Sequence, residues 1–250
     1  MAATILGAYL YFLSSSRSPF DEFAGMRVGE GEVGIMFLGT SAFIIRTSRH
    51  AIIIDPAAKM SKDDASSLGT VDAILITHEH GDHFDASSTF DLHRANEAVV
   101  VVNEGAYASL EGLIRGEGKL VLLEPGEAAE TGGVVVKAIA SNHSGLSPLM
   151  YFISMDGVAI LHCSDSGFVP ELADYAGEVD VAILPAGGAS PTASPSQAFK
   201  MAEAVMPKIA IPMHGTSAEY GELRSALESL QGVQFLELEP LSPQVVPVPP

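Results

Sequence analysis

The sequence predicts an α/β (α+β) fold in which two sheets pack face to face with helices outside. Three observations carry this expectation. Short apolar runs separated by turn residues dominate from Val33 onward, they fall into two successive similar sets, and only four segments read as helices. No linker divides the middle of the 250 residues, so one domain with ample core is favoured.

The first set of strands is expected at 33–39, 42–47, 51–55, 72–77 and 98–102. The second is expected at 120–123, 134–140, 149–155, 158–163, 180–185, 208–213 and 233–238. Between Met155 and Val158, Asp156-Gly157 is a strong two-residue hairpin signal. Helical patterns cover 84–95, 104–115, 196–206 and 217–230. Ser196 and Ser217 stand where helix N-caps would be, and Glu219 follows in the first turn of the last helix. These elements imply an apolar N-terminal extension at 1–32, a folded domain at 33–238 and a proline-rich tail at 239–250. Residues 2–13, AATILGAYLYFL, read as an amphipathic helix docked on the domain or on a partner, and are a candidate interface for a homo-oligomer. No Lys or Arg precedes them, as one would in a signal peptide. The last twelve residues hold five prolines, which rules out a helix or a central strand and leaves an extended tail strapped across the surface.

Charge excludes one class of partner. Asp and Glu number 31 against 13 Lys and Arg, a formal charge of −18, and the densest basic groupings are Arg46 with Arg49 and Lys59 with Lys62. A polyanion binder needs basic side chains that displace counterions from phosphates, so no nucleic acid and no anionic membrane surface is expected. No apolar run is long enough to span a bilayer. The single cysteine, Cys163, excludes an intramolecular disulfide and suits a reducing, cytoplasmic setting.

The chemistry is concentrated in Thr77-His78-Glu79-His80-Gly81-Asp82-His83, directly after the apolar run DAILIT. Four strong ligand types fall within six residues at the end of a strand. Alternation along extended backbone sends His78 and His80 to the same side, and Asp82 and His83 lie where the chain turns, able to face a second ion. Imidazole and carboxylate together suit Zn, Mn or Fe.

At this point the sequence resembles the metallo-β-lactamase superfamily, whose defining motif is His-x-His-x-Asp-His. Further pieces stand in order. Asp55 closes AIIID, His143 lies in Ser-Asn-His-Ser, Asp165 in His-Cys-Ser-Asp-Ser-Gly, and His214 in Pro-Met-His-Gly-Thr. The resemblance covers about residues 33–216. Within the superfamily it is most similar to small metal-dependent hydrolases related to L-ascorbate-6-phosphate lactonase, which often begin with a Gly-x-Ser hairpin such as Gly39-Thr40-Ser41-Ala42-Phe43. The resemblance implies a four-layer αβ/βα sandwich with the site along one edge. It implies one metal held by His78, His80 and His143 and a second held by Asp82, His83 and His214, with Asp165 bridging both. Two divalent cations about 4 Å apart, Zn first with Mn or Fe as alternatives, would share a water activated to hydroxide near neutral pH. That hydroxide would cleave a small ester, lactone or phosphodiester. Asp82 and Asp165 are the implied catalytic carboxylates, Asp82 doubling as proton acceptor, and Asp55 would orient a ligand histidine from behind.

Other polar residues are assigned differently. His50 falls at a hairpin turn, His93 on an exposed helix and His162 in the core, with Cys163 a small packing residue. Asn142, Thr216 and the loop 185–188 flank the ligands and are candidates for substrate contact. After Gly188 the chain departs from its relatives with Ala-Ser-Pro-Thr-Ala-Ser-Pro, and Gly215 replaces their aromatic residue, so no particular substrate carries over.

Other members of the fold fit less well. A nuclease resembling the tRNA 3′-end processing enzymes would need a basic arm or an extra domain. A glyoxalase-II-like thioesterase would need a C-terminal helical domain, and only about 35 residues follow His214. A β-lactam hydrolase usually carries Gly-Gly where this chain has Phe84-Asp85-Ala86. Di-iron redox relatives place glutamate at the position of His80 and add a flavodoxin domain. A non-catalytic metal-binding member is opposed by the intact ligand set.

Overall fold

A computed structural model of the chain describes residues 17–249, so the segment 2–13 lies outside the described residues. Two seven-stranded sheets form the centre. The first has the order β14-β1-β2-β3-β4-β5-β6, built from β1 (Glu32–Gly39), β2 (Ala42–Arg46), β3 (Ala51–Ile54), β4 (Ala73–Ile76), β5 (Val99–Val102), β6 (Leu120–Leu122) and β14 (Gln244–Pro247). The second has the order β13-β12-β11-β10-β9-β8-β7. Its strands are β7 (Ala128–Thr131), β8 (Val134–Ala140), β9 (Leu149–Met155), β10 (Val158–His162), β11 (Val181–Pro185), β12 (Ile209–Met213) and β13 (Gln234–Phe235). Each sheet steps through three antiparallel pairings and then three parallel ones, so the two sheets have matching topology; Leu120–Leu122, expected with the second set of strands, instead pairs parallel to β5 and closes the first sheet.

Alternation along the strands explains the layers. In β1, Val33, Ile35 and Phe37 face the core between the sheets, while Met36 and Leu38 face outward. The outward residues are covered by α1 (Pro19–Ala24), α2 (Lys62–Ser67), α3 (Ala86–Asn96) and α4 (Glu104–Leu110). On the second sheet, Leu161, Ala182, Leu184 and Ala210 pack outward under a 3₁₀ turn (Pro170–Tyr175), α5 (Pro195–Val205) and α6 (Ser217–Leu227). The result is a four-layer αβ/βα sandwich. Strands buried on both faces read as the near-continuous apolar runs of the sequence.

The helix starts need correction. Ser194, not Ser196, caps α5, because Pro195 fills the first helical position, where its missing N–H costs least. Thr216, not Ser217, caps α6, and Glu219 closes a reciprocal capping box with it. The helix expected at 104–115 ends at Leu110. Packing begins ahead of residue 33, since Phe20 and Phe23 of α1 are buried in the outer layer. At the other end Gln244–Pro247 adds an edge strand to β1, where proline is tolerated because one side of the ladder faces solvent. The basic residues are also less scattered than their sequence positions imply. Arg94, Arg115 and Lys119 line a shared hollow of about 370 Å³, and Lys119 donates to Glu97 O at the C-terminus of α3.

One clasp joins the sheets at their turns. Asp156, in the β9–β10 turn, accepts bonds from Thr47 Oγ1 (2.8 Å), Ser48 Oγ (3.2 Å), Arg49 N (2.9 Å) and Arg49 Nε (2.7 Å) in the β2–β3 turn. Desolvation opposes its ionisation, but these bonds outweigh it and hold the carboxyl at about 2. A depressed carboxyl contributes stability above its ordinary value near 4, and that contribution vanishes as pH falls through about 2. Asp156→Asn is therefore expected to cost about 1–3 kcal/mol at pH 7. Acid titration monitored by circular dichroism checks this: the wild-type advantage should shrink between pH 4 and 2. An advantage constant over that range would refute the clasp.

Candidate metal centre

The C-terminal ends of the parallel strands and the neighbouring turns meet at one edge of the sandwich, the usual place for a site in such sheets. Strand β4 delivers His78, His80, Asp82 and His83. The loops after β8, β10 and β12 deliver His143, Asp165 and His214. Each side chain expected at the site is present in one cluster. Ring nitrogens of His78, His80 and His143 form one group of mutually close donors, and Asp82, His83 and His214 form another. Asp165 joins a third group with His78 and His83. Asp165 Oδ2 lies 3.2 Å from His143 Nε2 and 3.7 Å from both His83 Nε2 and His214 Nε2, while Oδ1 lies 3.7 Å from His78 Nε2. The carboxylate thus sits between the two groups.

Local backbone explains how six residues supply four of these groups. After β4 the chain bends at Glu79 and then turns, with His83 N and Phe84 N both donating to His80 O. Glu79 is turned away from the cluster. Its carboxylate accepts from Leu146 N at 2.6 Å and Asn103 Nδ2 at 3.1 Å, pinning the loop that carries His143.

The back of the cluster fixes the tautomers. Asp55 is fully buried and accepts from Thr77 N (2.8 Å), Thr77 Oγ1 (2.7 Å) and His83 Nδ1 (2.8 Å). Thr77 Oγ1, its proton given to Asp55, accepts from His78 Nδ1 at 3.0 Å. Thr192 Oγ1 donates to Asp165 O and accepts from His143 Nδ1 at 3.0 Å. His214 Nδ1 donates to Gly187 O at 3.1 Å. In each case the rear nitrogen keeps its proton and the Nε2 lone pair faces inward. His80 reverses the pattern, presenting Nδ1 at 3.1 Å from His78 Nε2 and 3.2 Å from His143 Nε2.

Electrostatics match a cation-binding cluster. Burial, reinforced by the neighbouring imidazoles, pushes His78 far below its ordinary range, so it is neutral. Burial likewise lowers His143 despite Asp165. Burial alone would lower His83 too, but Asp55, Asp165 and Asp82 hold it above its usual value. For Asp82, desolvation is outweighed by His83, its own backbone and His214, which keep the carboxyl ionised. Converging nitrogen lone pairs repel one another without a cation between them. The donor set of five imidazoles and two carboxylates, with rear hydrogen bonds behind four of the imidazoles, therefore fits borderline divalent metals.

A family model described as a β-lactamase superfamily domain matches residues 34–214. The chain belongs to the metallo-β-lactamase superfamily. A UPF0173 protein of Pyrococcus abyssi is 34% identical over 191 residues, covering 74% of this chain and 87% of the relative. A UPF0173 metal-dependent hydrolase of Thermococcus kodakarensis is 30% identical over 193 residues, covering 73% and 84%. Among solved structures, the metallo hydrolase Igni18 of Ignicoccus hospitalis has a TM-score of 0.71 at 24% identity and covers 86% of this chain and 98% of its own, a likeness of fold.

Polar residues outside the motif of the superfamily match the expectation at His162 and Cys163 and differ from it at His93 and Thr216. His162 is a core histidine, its Nε2 donating to Ser41 O at 3.0 Å. His93 is half-buried rather than exposed, and its Nδ1 donates to Ala98 O. Cys163 is buried and burial pushes its thiol up, so it packs and does not react. Thr216 is committed to capping α6, while the main chain of Asn142 forms a bridge with Gly167 beside the ligand loop. Thr192 and Ser41 were not foreseen. Ser41 Oγ lies 3.0 Å from His83 Nδ1. Only the fold brings these residues to ligands 49 and 42 positions away. Thr77, adjacent to the motif, carried a readable signal in its position.

Two connected hollows open onto the cluster. One, about 230 Å³, is floored by His80, Asp82, His143, Asp165 and His214. The other, about 500 Å³, shares Asp82, Ala189 and His214 and extends past Thr40 and Tyr220 to Glu239. Their size suits a small molecule. No helix among the described residues is long and apolar enough to cross a membrane.

Proposed function

We propose that the protein is a metal-dependent hydrolase working with two divalent cations, zinc first among them, on a small ester, lactone or phosphodiester. The observation that supports this most is the arrangement of the seven side chains, with the rear nitrogens of His78, His83, His143 and His214 satisfied inside the protein and the front nitrogens gathered in adjoining groups around Asp165. His78, His80 and His143 would hold one cation, Asp82, His83 and His214 the other, and Asp165 would touch both. When bound, such a pair supplies an activated water and an electrophile for the oxygen that gains charge. Hydrolase relatives of the same superfamily, such as that of Thermococcus kodakarensis, support the reaction class. The Gly39-Thr40-Ser41 hairpin, similar to the lactonase-related group, keeps lactones on the panel.

The chain's own residues do the rest. Asp55, Thr77, Thr192 and the Gly187 carbonyl hold the imidazoles in one tautomer before substrate arrives, which removes reorganisation from the reaction. Asp82 is half-exposed at the mouth and lines both hollows, where it can accept a proton from the attacking water. A zinc- or manganese-loaded preparation should hydrolyse at least one member of a panel of lactones, phosphodiesters, thioesters and a chromogenic β-lactam, and lose that activity with chelator. A metal-replete protein inert toward every ester and phosphodiester would contradict the proposal.

A further inference from the structure

The β1–β2 turn contains a residue that its backbone disfavours. Gly39 pairs with Ala42, leaving Thr40 and Ser41 as a two-residue hairpin loop, and Thr40 has φ 57°. The first loop position with positive φ normally takes glycine, and a β-branched side chain there is strained. Strain of this kind persists where surrounding structure enforces it, often at functional sites. Here both ends of the loop are tied down: Thr40 O accepts from His214 N at 2.9 Å, and Ser41 is buried against His83.

The Thr40 side chain has a specific attachment. Lys59 Nζ donates to Thr40 Oγ1 at 2.9 Å. Lys59 is half-buried, on the loop that leaves Asp55. In that loop Ala57, itself at φ 43°, donates to His83 O, and Lys59 N donates to Pro56 O. With its lone pair taken by an ammonium, the Thr40 hydroxyl keeps its own proton to give, and no acceptor among the described residues receives it. Thr40 lines the larger hollow beside Asp82 and His214, and no lysine or arginine lines that hollow directly. On its far wall Glu237 is paired with Arg224, leaving Glu239.

We propose that Thr40, polarised and positioned by Lys59, is the substrate-binding donor for an anionic oxygen, that of a phosphate or carboxylate, at the Asp82–His214 end of the cleft. A hydroxyl backed by an ammonium favours acceptor-only groups and disfavours a cation. The inference rests on the hydrolase reading above, and it names the anionic character of the substrate at that site.

Inorganic phosphate is the probe, titrated calorimetrically into zinc-loaded and into chelator-treated protein, with zinc content measured in each. Thr40→Gly and Lys59→Met should each weaken phosphate binding to the loaded protein about tenfold. The double variant should bind no more weakly than Thr40→Gly, because Lys59 acts through the hydroxyl. Thr40→Ser, which restores the donor, should bind like wild type. Thr40→Gly should also melt at or above the wild-type temperature, since glycine accepts the positive φ; a merely structural role predicts a lower melting temperature. Unchanged phosphate affinity in both single variants at wild-type zinc content would overturn the proposal, as would additive losses in the double variant. Failure to bind zinc, with the Thr40 dependence intact in the chelated protein, would sink the hydrolase reading alone.

Discussion

Asp165→Ala is expected to lower the rate on any productive substrate by about 10³-fold or more, a loss of about 4 kcal/mol of transition-state stabilisation. The carboxylate is close to both sets of ligands, with oxygens 3.2–3.7 Å from nitrogens of His78, His83, His143 and His214. Its main chain is fixed independently, because Asp165 O accepts from Ser190 Oγ at 2.8 Å and Thr192 Oγ1 at 3.0 Å. Truncation therefore removes charge and ligand while the loop stays in place. Steady-state rates of the zinc-loaded variant, set beside its metal content and circular dichroism, check this. A variant that keeps the wild-type rate would show that no shared cation takes part.

The second large effect concerns Asp55, which touches no open surface. Asp55→Ala would leave Thr77 N, Thr77 Oγ1 and His83 Nδ1 without their acceptor in a fully buried place, at a cost of about 3–5 kcal/mol. Asp55 also has φ 46°, which asparagine tolerates better than alanine. Asp55→Asn thus separates charge from shape. It should lose less stability, yet bind metal about 10- to 100-fold more weakly, since His83 would no longer be held and made more basic by a carboxylate. Chemical denaturation and competitive metal titration measure the two effects. Equal metal affinity in Asp55→Asn and wild type would reduce Asp55 to a structural role.

Much of this architecture was legible because its central strands carry the signal themselves. AIII of β3 and VVVV of β5 have both faces covered, so apolar residues run without interruption. The strands that escaped notice are those at the margins. Ala128–Thr131 is half-exposed and weakly apolar, and Gln244–Pro247 is masked by prolines. Lys62–Ser67 was missed for a related reason, since of its six residues only Ala65 is buried, leaving no apolar stripe. The shifts from Ser196 to Ser194 and from Ser217 to Thr216 arise because several capping residues stand side by side, and backbone geometry chooses among them.

At the site, the motif concentrates four groups in one turn, so short-range spacing was enough to find them. His143, Asp165 and His214 were recognisable through resemblance and through their places after strands. The supporting residues were not. Thr192 lies in the segment where the chain departs from its relatives, and its contact with His143 depends on how the loop after β11 folds back over Asp165. Lys59 and Thr40 are ordinary in sequence. Their meaning comes from a positive φ and a 2.9 Å contact that no periodicity records.

The most direct test of the central claim is elemental analysis of the purified wild-type protein after zinc loading and exhaustive dialysis, with Asp165→Ala alongside. Two divalent ions per chain are expected in the wild type, with loss of tightly held metal in the variant. Fewer than one ion per chain in the wild type, or a variant that retains both, would contradict that claim.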